Sequence, residues 1–195
     1  MKKLVIATQN QNKFKEMKEA LAGIPWGLQP AFDFPGAPEV LEDGKTLEEN
    51  SLKKAREVAL FTGLPSLADD TGLFVDFIGG QPGIYAARFA GENCTYEDNV
   101  RKLLGLLEKA PDESRGAVFK TVITFFRPDG SFDQVAGEIG GTITRSARGE
   151  GGFGYDPIFL PAGHSKVFAE MTLDEKNRIS HRGQAVQKAK ELLKD

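Results

Sequence analysis

Cysteine is almost missing from this 195-residue chain: Cys94 stands alone, so there is no internal disulfide and no thiolate zinc site. Its neighbours Glu92, Asn93 and Thr95 include no base that would make it a nucleophile, and it reads as incidental. Long apolar runs are missing too. No stretch approaches the ~20 residues that a membrane span needs, and the apolar part of Met1-Lys2-Lys3-Leu4-Val5-Ile6-Ala7-Thr8 is too short for a signal peptide. No membrane partner is expected, and the cytoplasm is the expected location. Neither sign of charge dominates. A formal net charge of −3 offers no broad cationic surface, so no nucleic-acid partner is expected. Any phosphate site must be built locally, from a few basic residues. Internal repeats and low-complexity segments are also absent.

What is present suits a soluble globular protein. Forty per cent hydrophobic and 27% charged residues are ordinary values, and the length fits one domain over residues 1–195, in one or two lobes. The continuous apolar run Leu4-Val5-Ile6-Ala7 predicts a central strand of parallel type. It leads into Thr8-Gln9-Asn10-Gln11-Asn12-Lys13, and then into a helix with Phe14, Met17 and Leu21 on one face. A strand, a polar loop ending in lysine and a helix start form a layout that holds phosphate, through backbone N–H groups and one ammonium. As structure alone, Asn12 would cap the helix and Lys13 would be a solvated first-turn residue.

The most distinctive stretch is Leu67-Ala68-Asp69-Asp70-Thr71-Gly72, followed by alternating Leu73, Val75 and Phe77. It predicts a buried strand ending in two carboxylates at a sheet edge, then a turn and a second strand. Adjacent acids suit a hard divalent cation such as Mg²⁺, which takes carboxylate oxygens, waters and substrate phosphates; the same residue types also suit a plain turn. Residues 25–45 read as a proline-rich loop or edge excursion that contains Glu42-Asp43-Gly44. Thr46 with Glu49 predicts a capping box for a helix running to about Phe61, on which Asn50 and Lys54 share a face.

Further on, Gly79–Gly91 is a glycine-rich loop with one arginine, and a helix is predicted from about Thr95 to Leu107. Phe119–Phe126, Pro128-Asp129-Gly130 and Phe132–Thr144 predict a long hairpin, so the sheet is mixed and the class α/β. Four glycines around Phe153 and Tyr155 in Gly149–Pro157 allow close approach to a flat ligand on which an aromatic ring can stack; Asp156 can accept from a ring N–H. A tight turn before Ile158-Phe159-Leu160 explains the same residues. Near the end, Ser180 is placed to cap the last helix, with His181 and Arg182 in its first turn. Cations are disfavoured there unless an anion or a carbonyl-rich base faces them, and Lys176 is near in sequence.

Taken together, these segments resemble the inosine/xanthosine triphosphate pyrophosphatases, which hydrolyse deaminated purine nucleotides. Thr8 to Lys13 is similar to the family's Thr/Ser-x-Asn-x-x-Lys loop, and Asp69-Asp70-Thr71-Gly72-Leu73 to its Asp-Asp-Ser-Gly-Leu. Gly80-Gln81-Pro82-Gly83 with Ala87-Arg88-Phe89, Gly151–Pro157, and Ile179–Gly183 with Gln184-Ala185 follow in the family's order. Thr71 keeps the hydroxyl of the usual serine, while Gln9 and Asn12 stand where glycine is common. The resemblance implies an α/β fold: an elongated mixed central β-sheet flanked by helices in two lobes, with a nucleotide cleft between them, and a homodimer. It implies Mg²⁺-dependent hydrolysis of ITP, dITP or XTP to the monophosphate and pyrophosphate.

Carried over by position, the resemblance assigns Thr8, Gln9, Asn10, Gln11, Asn12 and Lys13 to the triphosphate, with Lys54 as a further phosphate contact. Glu42 and Asp70 would bind the metal, Asp70 would also accept the proton, and Thr71 would touch substrate. Phe153, Gly154, Tyr155, Asp156, Lys176, His181 and Arg182 match the base-binding positions. Asp69 competes with Asp70 as the base. Donors from Arg182 and His181 are expected to read the purine 6-carbonyl and to reject the 6-amino group of adenine. A pyrophosphatase of related fold acting on modified pyrimidine nucleotides is argued against by Phe153–Asp156 and His181-Arg182. A non-catalytic nucleotide sensor could dispense with Glu42, Asp69 and Asp70, all of which are present.

Overall fold

Leu4, Val5 and Ile6 are wholly buried, and the computed structural model, which describes residues 2–194, places them on strand β1 (Lys2–Ile6). β1 lies parallel to β2 (Trp26–Pro30) on one side and to β3 (Ser66–Val75) on the other, with Leu4 opposite Leu28 and Ile6 opposite Leu67. The remaining strands are β4 (Pro82–Gly83), β5 (Gly116–Phe126), β6 (Phe132–Ile143) and β7 (Phe159–Pro161). Their hydrogen-bonding order is β2-β1-β3-β5-β6-β7, with β4 also paired to β3, and the sheet is mixed as expected.

The chain divides into two compact units. The first takes in the described residues up to Asp70, then Thr121–Gly137, and those from His181 onward. Its helices are α1 (Gln11–Ala20), α2 (Leu47–Thr62) and α5 (His181–Leu192). Strand alternation sorts the core into two layers. Leu4, Ile6 and Leu67 pack with Met17 and Leu21 of the α1 region and with Val186 and Ala189 of α5. Val5, Ala7 and Ala68 pack with Ala55, Val58 and Ala59 of α2. A strand covered on both faces is apolar at every position, which is why this segment was readable as parallel.

The second unit comprises Thr71–Lys120 and Glu138–Ser180. It holds α3 (Tyr96–Leu106) and α4 (Leu173–Ile179), and β7 pairs antiparallel with β6. Phe119, Phe159 and Phe168 form its aromatic centre, with ring centroids 4.6 and 5.2 Å apart along the series. Buried Arg115 donates to the carbonyls of Leu107, Ile143 and Thr144, tying the end of α3 to the end of β6.

Three local expectations are corrected. Asp69 and Asp70 do not end a strand at a sheet edge: β3 runs through them without a turn and lies between β1 and β5. Gly72 is there for close approach, because a Cβ at that position would sit 2.9 Å from the Gly83 carbonyl oxygen of β4. The cap of α1 is Asn10, two residues before the expected Asn12. At α2, Thr46 accepts from the Glu49 N–H, but Glu49 reaches the N–H of Lys45, so the capping box is only half made.

Candidate active site

In the first unit the polar loop after β1 caps itself. Asn10 N–H donates to Thr8 Oγ1 (3.1 Å), and Asn10 Oδ1 accepts from the N–H groups of Asn12 (2.9 Å) and Lys13 (3.2 Å). Two of the helix-end donors expected to meet an anion are therefore engaged by Asn10. What the loop does present is Lys13, on the first turn of α1, with Nζ 3.3 Å from Asp69 Oδ2. Gln9, Gln11 and Asn12 are exposed around it.

The two adjacent aspartates point to opposite faces of β3, as strand alternation requires. Asp69 shares the face of Leu67, toward α1 and α5. There Arg182 donates to Asp69 Oδ2 from Nε (3.2 Å) and Nη2 (3.0 Å), and to Glu16 Oε2 from Nη1 (2.6 Å). Asp70 shares the face of Ala68, toward α2. Asn50 Nδ2 donates to its Oδ2 (3.2 Å) and Lys54 Nζ to its Oδ1 (3.1 Å), so the shared helical face of these two residues meets one carboxylate. Lys54 Nζ is also 2.5 Å from Glu42 Oε1. Asn50 is a two-ended strut: its Oδ1 accepts from Gly44 N–H (2.8 Å), which holds the segment bearing Glu42 beside Asp70. Gly44 has no room for a side chain, since a Cβ would lie 2.6 Å from Asn50 Oδ1.

These surroundings drive the two carboxyls apart. Burial works against ionisation of Asp69, but Lys13, Arg182 and Lys54 together hold its carboxyl far below the usual carboxylate range. Burial pushes the Asp70 carboxyl upward, and the neighbouring Glu42 charge adds to that, against the opposing pull of Lys54. Glu42 is itself buried enough to resist ionisation, yet Lys54 and Lys13 keep it below its ordinary value. Burial disfavours charge on Lys54, but Asp70 and Glu42 hold its ammonium above the usual lysine range. When neighbouring acids are separated in this way, the one held low stays a fixed charge and the one pushed up can exchange a proton.

Glu42 and Asp70 both reach the single atom Lys54 Nζ, so the two carboxylates converge on one point. Among the described residues no group of three or more His, Cys, Asp or Glu has metal-holding geometry. Mg²⁺ keeps several waters and binds through one or two carboxylates plus substrate phosphates. A converging pair of carboxylates fits that demand, whereas the sequence pair Asp69-Asp70, split between two faces, does not.

The second unit assembles another group. Gly149, Gly152 and Gly154 have φ of +75°, +71° and +63°, and a Cβ on Gly152 would strike Asp156 Oδ2 at 2.1 Å. That tight loop turns Asp156 inward, where Oδ2 accepts from Phe153 N–H (2.8 Å) and from buried Lys176 Nζ (2.6 Å). Lys176 also lies 5.0 Å from the centroid of half-buried Phe153. Tyr155 faces the other way: its ring is in the core and its hydroxyl donates to Ala86 O (2.9 Å), while Phe153 lies outside that core cluster.

The structure thus brings together Lys13, Glu42, Lys54 and Asp70 in the first unit, and Phe153, Asp156 and Lys176 in the second. Arg182 lies in the first unit, its guanidinium buried on two carboxylates, Asp69 and Glu16. His181 is buried beside it at the start of α5, its carbonyl facing Gly137, where a Cβ would lie 2.2 Å away. Glu16 was missed. Its position, three residues after Lys13 and one before Met17 on the buried stripe of α1, was the available signal, since an acid on an apolar stripe needs a cation.

A family model described as the Ham1 family matches residues 4–192. The chain is 49% identical over 195 residues to a dITP/XTP pyrophosphatase of Geobacter sulfurreducens, covering 100% of this chain and 96% of that protein. It is 47% identical to a dITP/XTP pyrophosphatase of Desulforamulus reducens, covering 98% of this chain and 95% of the relative. A solved structure of a HAM1 protein from Coxiella burnetii matches with a TM-score of 0.89 at 40% identity, covering 99% of this chain and 98% of that one.

Proposed function

The chain belongs to the Ham1 family, and on that premise we propose that it hydrolyses ITP, dITP and XTP to the monophosphate and pyrophosphate. Its task is then to keep deaminated purines out of the nucleotide pool and out of DNA and RNA. The observation that carries the reading is the separation of the two aspartates: Asp69 locked by Arg182 and Lys13, Asp70 held beside Glu42 by Asn50 and Lys54. A sensor needs no acid of raised basicity next to a second converging carboxylate.

In this account Asp70 takes the proton from the attacking water, and Asp69 is a fixed charge that orients Lys13. Lys13 and Lys54 neutralise the charge that develops on the departing pyrophosphate, the largest demand in phosphoryl-group displacement. Glu42 and Asp70 would hold Mg²⁺, which supplies further charge neutralisation on the phosphate oxygens. Thr8 and Asn10 shape the loop that presents Lys13, with Gln9, Gln11 and Asn12 at its surface, and Thr71 follows Asp70 on the strand toward substrate. Phe153 supplies a stacking face for the base. Lys176 and the backbone N–H groups of Gly154 and Tyr155 supply donors for the purine 6-carbonyl, which leave the 6-amino group of adenine unmatched. We assign the enzyme a homodimeric form in the cytoplasm, with the nucleotide as its partner and neither nucleic acid nor membrane.

Hydrolysis of ITP in ¹⁸O-enriched water tests the reaction itself. Attack at the α-phosphorus places the label in the inosine monophosphate and none in the pyrophosphate. Label in pyrophosphate, or release of orthophosphate as the first product, would overturn the assignment.

A further inference from the structure

The convergence of Glu42 and Asp70 on Lys54 has a consequence for the metal. Lys54 Nζ lies 2.5 Å from Glu42 Oε1 and 3.1 Å from Asp70 Oδ1, and the residue is only 8% exposed. An ammonium that touches one oxygen from each of two separate chain segments occupies the place a bridging cation would take. A divalent ion and this ammonium cannot share those oxygens, because like charges at such range in a buried setting repel strongly. The holders of the carboxylates differ in kind. Asn50 is a short amide fixed at both ends, to Gly44 N–H and to Asp70 Oδ2, and it keeps the acids in place. Lys54 is a point charge on a flexible four-carbon stem, able to turn to new acceptors without moving α2.

We propose that Lys54 is the resident counter-cation of the metal site. It holds Glu42 and Asp70 together in the nucleotide-free protein, excludes a divalent ion from them, and releases them when a triphosphate offers its ammonium phosphate oxygens. Metal and nucleotide then enter together, and the free protein stays metal-poor. This rests on the reading of Glu42 and Asp70 as the metal ligands.

Binding of Mn²⁺ alone, followed by the electron paramagnetic resonance of the free ion, tests it on the full chain without nucleotide. Lys54→Met is expected to bind Mn²⁺ at least tenfold more tightly than the natural protein, and adding Asp70→Asn to that variant should remove the gain. Equal or weaker binding by Lys54→Met, with Asp70→Asn still weakening binding in the otherwise natural chain, would overturn the role of Lys54 and leave the metal site standing. Tight binding that survives Asp70→Asn in the Lys54→Met background would overturn the site itself. A second measurement needs no variant that must fold. The ¹⁵N-ammonium resonance of Lys54 in the natural protein should be unmoved by millimolar Mg²⁺ alone and should shift when inorganic triphosphate is added with it. A shift with Mg²⁺ alone would contradict the proposal.

Discussion

Asp70→Asn is expected to lower kcat by at least ~10³-fold while the protein stays folded and still binds nucleotide. The change keeps the shape of the side chain and removes its basicity, and general-base assistance alone is worth about 10²–10⁴-fold. Loss of one of the two carboxylates proposed to hold Mg²⁺ adds to that. Stability should hold because Asp70 is the carboxyl that the fold does not favour as an anion: burial and Glu42 push it up. The sign follows from linkage. An acid whose pKa is raised by folding costs stability once the pH is high enough to ionise it, so a neutral amide removes a cost at neutral pH.

The same directions give a pH dependence. Activity in the natural protein should fall as the pH drops far enough to protonate Asp70, the more readily protonated of the two aspartates. Asp69 behaves oppositely, since its carboxyl is lowered from 3.8. Its stabilisation is complete above that ordinary value and is lost only as the pH falls below it. Acid should therefore remove activity before it removes the fold, which parallel kcat and thermal-melt profiles would show. More than about a tenth of the natural kcat remaining in Asp70→Asn would take this residue out of the proton transfer.

The second large effect is on stability. Arg182→Met leaves Asp69 and Glu16 buried and facing each other without the guanidinium that satisfies both. Removing one member of a buried ion network costs about 3–5 kcal/mol. At roughly 2–4 °C per kcal/mol for a chain of this size, Tm should fall by about 6–20 °C. Adding Glu16→Gln and Asp69→Asn should restore most of the loss, because the buried charges go with their partner. A direct reader of the purine base would behave otherwise, changing the preference for ITP over ATP with Tm little altered. A Tm drop under about 2 °C would contradict the structural role of Arg182.

The contrast between these residues shows what the sequence could and could not carry. The apolar run from Leu4, the Thr46 cap, the helix start near Thr95 and the turn at Pro128-Asp129-Gly130 are local chemistry, and the structure has a strand, two helix starts and a hairpin turn there. Asp69-Asp70-Thr71-Gly72 has the local composition of a turn but forms a continuous strand. Its charges are answered by partners far away in sequence: Arg182 lies 113 residues from Asp69 and 166 from Glu16. The arginine at the start of α5 calls for an anion or a carbonyl-rich base, and the sequence does not say that Asp69 and Glu16 of the same chain face its guanidinium. The seven-residue helix α4, which carries Lys176, is too short for periodicity to mark. Tyr155 and Phe153, two residues apart in a loop of positive-φ glycines, have no alternation to say which ring turns inward. Glu42 and Asp70 are 28 residues apart and share no local pattern; only the fold brings both to Lys54 Nζ.

The measurement that bears most directly on the account is pyrophosphate release from ITP, dITP, XTP, ATP and GTP, each with and without Mg²⁺. Fast, Mg²⁺-dependent release is expected from the first three, at least ~100-fold above ATP, which places about 2.7 kcal/mol on recognition of the base. Binding of ITP without release, or equal release from all five, would contradict the proposed function.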